Sequence, residues 1–159
     1  MAIKTTDLCD EYADQLQILA PLFGDYGGRH YFAGIIETVK TFEDNTQVRA
    51  LLESPGEGRV LVVDGAASLR CALLGDQLGA LARDNSWSGV VVYGCVRDAA
   101  DLAEIDIGVK ALNTHPRKSN KGGGGEVGVP VTFAGVTLTP GQWLCADRDG
   151  IVVAERPLE

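Results

Sequence analysis

The sequence predicts an α/β fold built on a central sheet that contains parallel strands. Three observations carry this. The runs RVLVV at 59–63 and GVVVYGCV at 89–96 are almost continuously apolar, the pattern of strands buried on both faces. Between them, residues 71–85 carry Leu74, Leu78 and Leu81 at helical spacing, so the succession has the lengths of a right-handed crossover between parallel strands. After residue 125 the chain turns β-rich, with turn pairs at Ala134-Gly135, Pro140-Gly141 and Asp149-Gly150.

Taken in order, residues 6–19 read as a helix. Thr6 is placed as N-cap, Asp7, Asp10 and Glu11 suit the positive end of the dipole, and Pro21 stops it. After Gly27-Gly28, residues 35–42 read as a strand. Asn45 is placed to cap a short helix carrying Val48, Leu51 and Leu52, closed by Ser54-Pro55-Gly56. Within 71–85, Gly75 weakens the first turns, so the helix proper is expected near Asp76. Residues 107–112 form another apolar segment, 118–125 a polar glycine stretch, and the tail three or four short strands or hairpins.

The bulk numbers set limits. A chain of 159 residues with 45% apolar content fits one domain, 1–159, with a core that needs no staples. A net charge of −8 repels phosphate backbones, so direct nucleic-acid binding is not expected. The densest basic cluster, Arg117-Lys118 with Lys121, reads as a solvated loop. Cys9, Cys71, Cys95 and Cys145 form no C-x-x-C pair and no zinc spacing with His30 or His115, so inert buried thiols are expected. No N-terminal signal-like apolar region appears and no run reaches the length of a membrane span, which sets the expectation of a cytoplasmic protein.

Two stretches stand out chemically. Gly75-Asp76-Gln77-Leu78 opens a helix, and Arg97-Asp98 follows directly on a buried strand. In α/β sheets ligands gather at the carboxyl ends of strands and at helix N-termini. Backbone N–H groups at the helix start can hold a carboxylate, Arg97 can clamp a carboxylate or keto oxygen, and Asp98 can hold a hard divalent cation. The same residues equally suit a solvated Arg-Asp pair and a plain capping device. Gly122 to Gly125 lack the frame of a phosphate-binding loop and read as a mobile surface loop. Neither histidine has a Ser or Cys partner at triad spacing. Asp147, Asp149 and Gly150 lack the bidentate Glu of a calcium loop and read as a turn.

Six ordered stretches, YGGR (26–29), FEDN (42–45), VLVVDG (60–65), LLGDQLG (73–79), GVVVYGCVRD (89–98) and DRDGIVV (147–153), make nearly the whole chain resemble the RraA-like family. The resemblance implies a swivelling β/β/α fold and a homotrimer, sometimes paired into a dimer of trimers, with active sites near subunit boundaries. It also implies one of two functions. One is a divalent-metal-dependent aldolase that cleaves 4-hydroxy-4-methyl-2-oxoglutarate to two pyruvates and decarboxylates oxaloacetate. The other is a regulator that binds and inhibits ribonuclease E.

The aldolase signature is Asp, twenty residues, then Arg-Asp, and Asp76 followed by Arg97-Asp98 meets it. The regulators carry Gly at the first position and an acidic residue three places after the last. Asp101 occupies that later place, which keeps the regulator as the alternative. Carried over, Gly75, Asp76, Gln77 and Leu78 would contact substrate through backbone, Arg97 would bind the pyruvyl group, and Asp98 would anchor Mg²⁺ or Mn²⁺. Asp76 and Arg97 would be the catalytic pair, with a water held at the cation by Asp76 or Asp98 as the expected base. Glu155 and Glu159 lie near the place of a C-terminal acidic ligand that some aldolases supply from a neighbouring subunit; neither is assigned that role.

Overall fold

The computed structural model describes residues 2–158. In chain order the elements are α1 (Thr5–Tyr12) with a 3₁₀ turn (Ala13–Gln15), β1 (Gln17–Ile18), β2 (Gly24–Asp25), β3 (Phe32–Lys40), α2 (Thr46–Leu52), β4 (Val60–Asp64), β5 (Ala72–Leu74), α3 (Asp76–Asp84), β6 (Gly89–Val96), α4 (Ala99–Leu102), β7 (Gly108–Thr114), β8 (Glu126–Val127), β9 (Val131–Phe133), β10 (Val136–Leu138), β11 (Trp143–Asp147) and β12 (Gly150–Ala154). The α/β expectation holds. Strands β3, β4, β6 and β7 are parallel neighbours, and β11, β12 and β1 extend the sheet antiparallel beyond β3.

Both faces of the parallel strands are covered, as their apolar runs predict. Along β4, Leu61 and Val63 pack with the helices, among Val48, Leu52, Leu78, Ala82 and Leu102. Their alternates Val60 and Val62 pack on the other face with Phe32, Leu144, Ile151 and the β9–β10 hairpin residues Val131, Phe133, Val136 and Leu138. Phe32 fits because Gly89 and Gly108, register partners on β6 and β7, have no side chains there. A Cβ on either would fall 2.3 or 2.1 Å from its ring.

Four local expectations need correction. The first helix stops at Tyr12, because Gln17 and Ile18 pair with Val153 and Val152 as an edge strand; sheet pairing overrides helical spacing. It begins at Thr5, one residue before the expected cap, and its first N–H is capped from afar: Asp147 accepts Thr5 N–H (2.8 Å) and the Thr5 hydroxyl (2.7 Å). At α2 the Asn45 side chain makes no cap bond, and the neighbouring Asp44 accepts Thr46 N–H instead (2.9 Å). Leu74 is not helical: residues 72–74 are a short strand beside the end of β6, and the helix starts at Asp76 as the glycine suggested.

The tail holds five strands rather than three or four, hinged at the expected turns. Ala134 and Gly135 are both left-handed, as a tight hairpin requires, and Asp149-Gly150 joins β11 to β12. All four cysteines are free thiols, three of them buried. No helix among the described residues is long and apolar enough to cross a membrane.

Candidate functional site

Parallel pairing brings the carboxyl ends of β5 and β6 together. Arg97 N–H donates to the Leu74 carbonyl (2.9 Å), which locks the β6 exit against the residue before Gly75. Asp76 N–H, the first donor of α3, donates to Asp98 Oδ2 (3.1 Å), so the two chemically distinctive stretches of the sequence meet in one place. Gly75 makes this approach possible. A Cβ there would sit 2.6 Å from Asp98 Oδ2 and 3.3 Å from Arg97 Cγ. Asp98 is itself left-handed (φ 59°, ψ 46°), a conformation uncommon outside glycine and a recurrent mark of functional positions.

The meeting point opens a cleft of about 330 Å³ lined by Asn45, Arg49, Gly75, Asp76, Gln77, Leu78, Arg97, Asp98, Lys118, Ser119 and Lys121. Gly75, Asp76, Gln77, Leu78, Arg97 and Asp98, the site residues expected from the sequence, are all there. The side chain of Leu78 is buried and turned to the core, so its contribution to the cleft is backbone. Four cations, Arg49, Arg97, Lys118 and Lys121, face two carboxylates, Asp76 and Asp98, a surplus of two in a chain of net charge −8. This excess of positive charge favours anions at the cleft.

Arg97 and Asp98 do not pair with each other. Arg97 makes no salt bridge among the described residues, which leaves its guanidinium for a ligand. Asp98 faces Asp76 instead. A hydrogen bond between the two carboxyl groups raises the Asp76 pKa above its ordinary value; burial and the Asp98 charge add to this, while Gln77 N–H works against it. Two carboxylates in contact are a place where a cation is strongly favoured. Among the described residues no three His, Cys, Asp or Glu side chains converge on a metal position. The donor set, two carboxylate oxygens in an open polar cleft without thiol or imidazole, suits a hard cation such as Mg²⁺ that keeps several waters and takes further oxygens from substrate.

Asn45, Arg49, Lys118, Ser119 and Lys121 were not marked as site residues from the sequence. The signal was partly present, since Lys118 and Lys121 form its densest basic cluster. What the sequence did not reveal is that a pairing of Lys118 with Ala72 carries that cluster back over β5. Other candidates lie elsewhere. His30 Nδ1 faces Arg148 and His115 Nδ1 accepts Arg117 N–H (3.1 Å). Asp147 is spent on α1 and on Asp149 N–H, in the turn expected there. Glu155 accepts from Gln142 (3.2 Å) on another surface, and Glu159 lies outside the described residues.

Fold and cleft together define a class: a small α/β protein with a carboxylate pair in a cationic cleft at the carboxyl edge of a parallel sheet. The family profile described as RraA-like, Aldolase/RraA, matches residues 5–153, and the chain belongs to this family. A protein of Alkalilimnicola ehrlichii provisionally named 4-hydroxy-4-methyl-2-oxoglutarate aldolase is 63% identical, over 99% of this chain and 98% of its own. Its counterpart in Halorhodospira halophila, of the same provisional name, is 61% identical over 99% of both. Among solved structures, the RNA-processing inhibitor RraA from Thermus thermophilis is 47% identical and superposes with a TM-score of 0.96, covering 100% of this chain and 96% of that one.

Proposed function

We propose that this protein is a divalent-metal-dependent carbon–carbon lyase that cleaves 4-hydroxy-4-methyl-2-oxoglutarate to two pyruvates and, more slowly, decarboxylates oxaloacetate. The observation that carries the reading is the convergence of Asp76, Arg97 and Asp98 in a cationic cleft, together with relatives above 60% identity over the full chain that bear an aldolase name. Asp98 would hold Mg²⁺ or Mn²⁺, with Asp76 beside it. When bound, such a cation acts as a Lewis acid on the 2-oxo acid end of the substrate.

The chain's own residues do the rest. Arg97 sets a fixed positive charge beside the oxygen on which charge develops as the bond breaks. Lys118, Lys121 and Arg49 line the cleft and would meet the distal carboxylate of a dicarboxylic substrate. The retro-aldol step needs a base for the C4 hydroxyl. Asp76 and Asp98, facing each other in the cleft, would hold the water that serves as that base. Decarboxylation needs no such base, so one cleft serves both reactions.

The test is pyruvate release from both substrates, with Mg²⁺ or Mn²⁺ and with a chelator. Activity should require the cation, and Asp76→Gly should lower it while leaving fold and assembly intact. Equal turnover in chelator, or full activity in the variant, sinks the reading.

A second reading, an inhibitor that contacts ribonuclease E, is favoured by the 47% identity to an RNA-processing inhibitor and by Asp101, exposed on α4. Stoichiometric inhibition of ribonuclease E by a protein inactive as a lyase would replace the first reading with this one. We infer further that the chain assembles as a trimer or a pair of trimers. Phe42 and Leu69, apolar side chains both more than half exposed, support contact between copies. Light scattering should give a multiple of three; a monomer at micromolar concentration counts against it.

A further inference from the structure

The glycine stretch expected to be a mobile loop has an anchor. Gly122 N–H (2.7 Å) and Gly124 N–H (3.4 Å) both donate to Asp44 Oδ2, while Asp44 Oδ1 takes Thr46 N–H (2.9 Å). Gly123 N–H donates to the Thr46 hydroxyl (3.0 Å). Two backbone bonds, Asn45 N–H to the Asn120 carbonyl (3.2 Å) and Asn120 N–H to the Glu43 carbonyl (2.9 Å), complete the seam. Asp44 is 8% exposed. The glycines thus form an anion-binding nest of N–H groups whose anion is the protein's own carboxylate.

The nest is costly to order. Four consecutive glycines lose more backbone freedom on fixing than any other residues would. Gly123 and Gly125 adopt φ of 84° and 120°, where side-chain-bearing residues are strained. The segment is otherwise held only at its ends, by the Ala72–Lys118 pairing and by β8 on β3. Between these anchors it carries Lys118 and Lys121 into the cleft, where Lys121 Nζ donates to the Asn45 side chain (3.3 Å). Asp44 touches no cleft floor residue, yet it orders the strap on which those two cations ride.

We propose that Asp44 is a positioning residue that sets the enzyme's preference for substrates with a second carboxylate. This rests on the lyase reading above. By holding the glycine strap, Asp44 fixes Lys121, beside Lys118 on its Ala72 pairing, at the distance of a distal carboxylate. The pyruvyl end, gripped by Arg97 at the cleft floor, does not feel it.

The experiment compares pyruvate with 2-oxoglutarate as competitive inhibitors of the Mg²⁺-loaded enzyme. Both carry the 2-oxo acid end, and only the second has a distal carboxylate. The wild type should bind 2-oxoglutarate the more tightly. Asp44→Asn keeps the side-chain volume but puts an amide where N–H groups converge. It should weaken 2-oxoglutarate about tenfold, leave pyruvate within twofold, and raise KM for the dicarboxylic substrate more than it lowers kcat. Gly125→Ala strains the same strap without touching Asp44 and should give the same selective loss, so the proposal stays testable if Asp44→Asn misfolds. Parallel weakening of both inhibitors, or no change in either, overturns the proposal while leaving the lyase reading in place. A wild type indifferent to the distal carboxylate overturns the proposal together with the distal-carboxylate role given to the lysines. Pyruvate release that persists equally in a chelator counts against the lyase reading itself.

Discussion

Two aspartates at strand ends meet opposite fates. Asp147, at the end of β11, is saturated. It accepts the N–H and hydroxyl of Thr5 and the N–H of Asp149; burial raises its pKa, but these bonds outweigh burial and leave it below its ordinary value. Asp98, just past β6, receives Asp76 N–H and then confronts the Asp76 carboxyl, whose pKa is raised. The first arrangement ties a helix to a sheet. The second holds two like charges together in a cleft of mostly positive walls. One region is built to be stable as it stands, and the other to be completed by something it binds.

The comparison breaks most visibly in turnover. Asp98→Ala should abolish metal-dependent activity, since it removes the proposed anchor of the cation. Arg97→Ala should lower kcat/KM by a few hundredfold to a thousandfold, about 3–4 kcal/mol, as when a donor to developing charge is lost. Arg97→Lys should restore little, because a point charge lacks the fork geometry. Steady-state kinetics decide this; Arg97→Ala within tenfold of wild type removes Arg97 from the chemistry.

Stability should show the mirror image. Asp147→Ala deletes a helix cap and should cost about 1–2 kcal/mol in denaturant unfolding at neutral pH with kcat unchanged. Its lowered pKa gives the sign with acid: the contribution is present above the ordinary Asp range and fades as pH falls through the depressed value, so the gap to wild type should shrink there. Asp76→Asn should behave oppositely. With a raised pKa, the stability Asp76 contributes is complete below its ordinary value and is lost as pH rises through the raised one, so at neutral pH this substitution should cost nothing. An Asp76→Asn protein clearly weaker than wild type at pH 7 contradicts the comparison.

The parallel core was legible because β4 and β6 are buried on both faces and show it as unbroken apolar runs. Asp76, Arg97 and Asp98 were legible because they sit at element boundaries, where spacing along the chain converts into position on a sheet edge. The first helix was overextended, because Gln17 and Ile18 gain more from β12 than local periodicity can express. The cationic wall was missed for a related reason. Lys118 and Lys121 are far from Asp76 in sequence, and what carries them over the cleft is the long-range pairing of Lys118 with Ala72, which no local pattern announces.

Gly75 and Asp76 are neighbours with unequal freedom. Gly75 is hemmed in by Asp98 and Arg97, so any side chain there must displace the floor of the cleft. Asp76 sits half-buried at the start of α3, and its side chain is not part of the core. A scaffold with this asymmetry can gain or shed its chemistry by exchange at one position while keeping its shape, its packing and its surfaces for partners. On the lyase reading, catalyst and binding protein would lie a single codon step apart on the same fold, separated by one carboxylate rather than by any rearrangement of the chain.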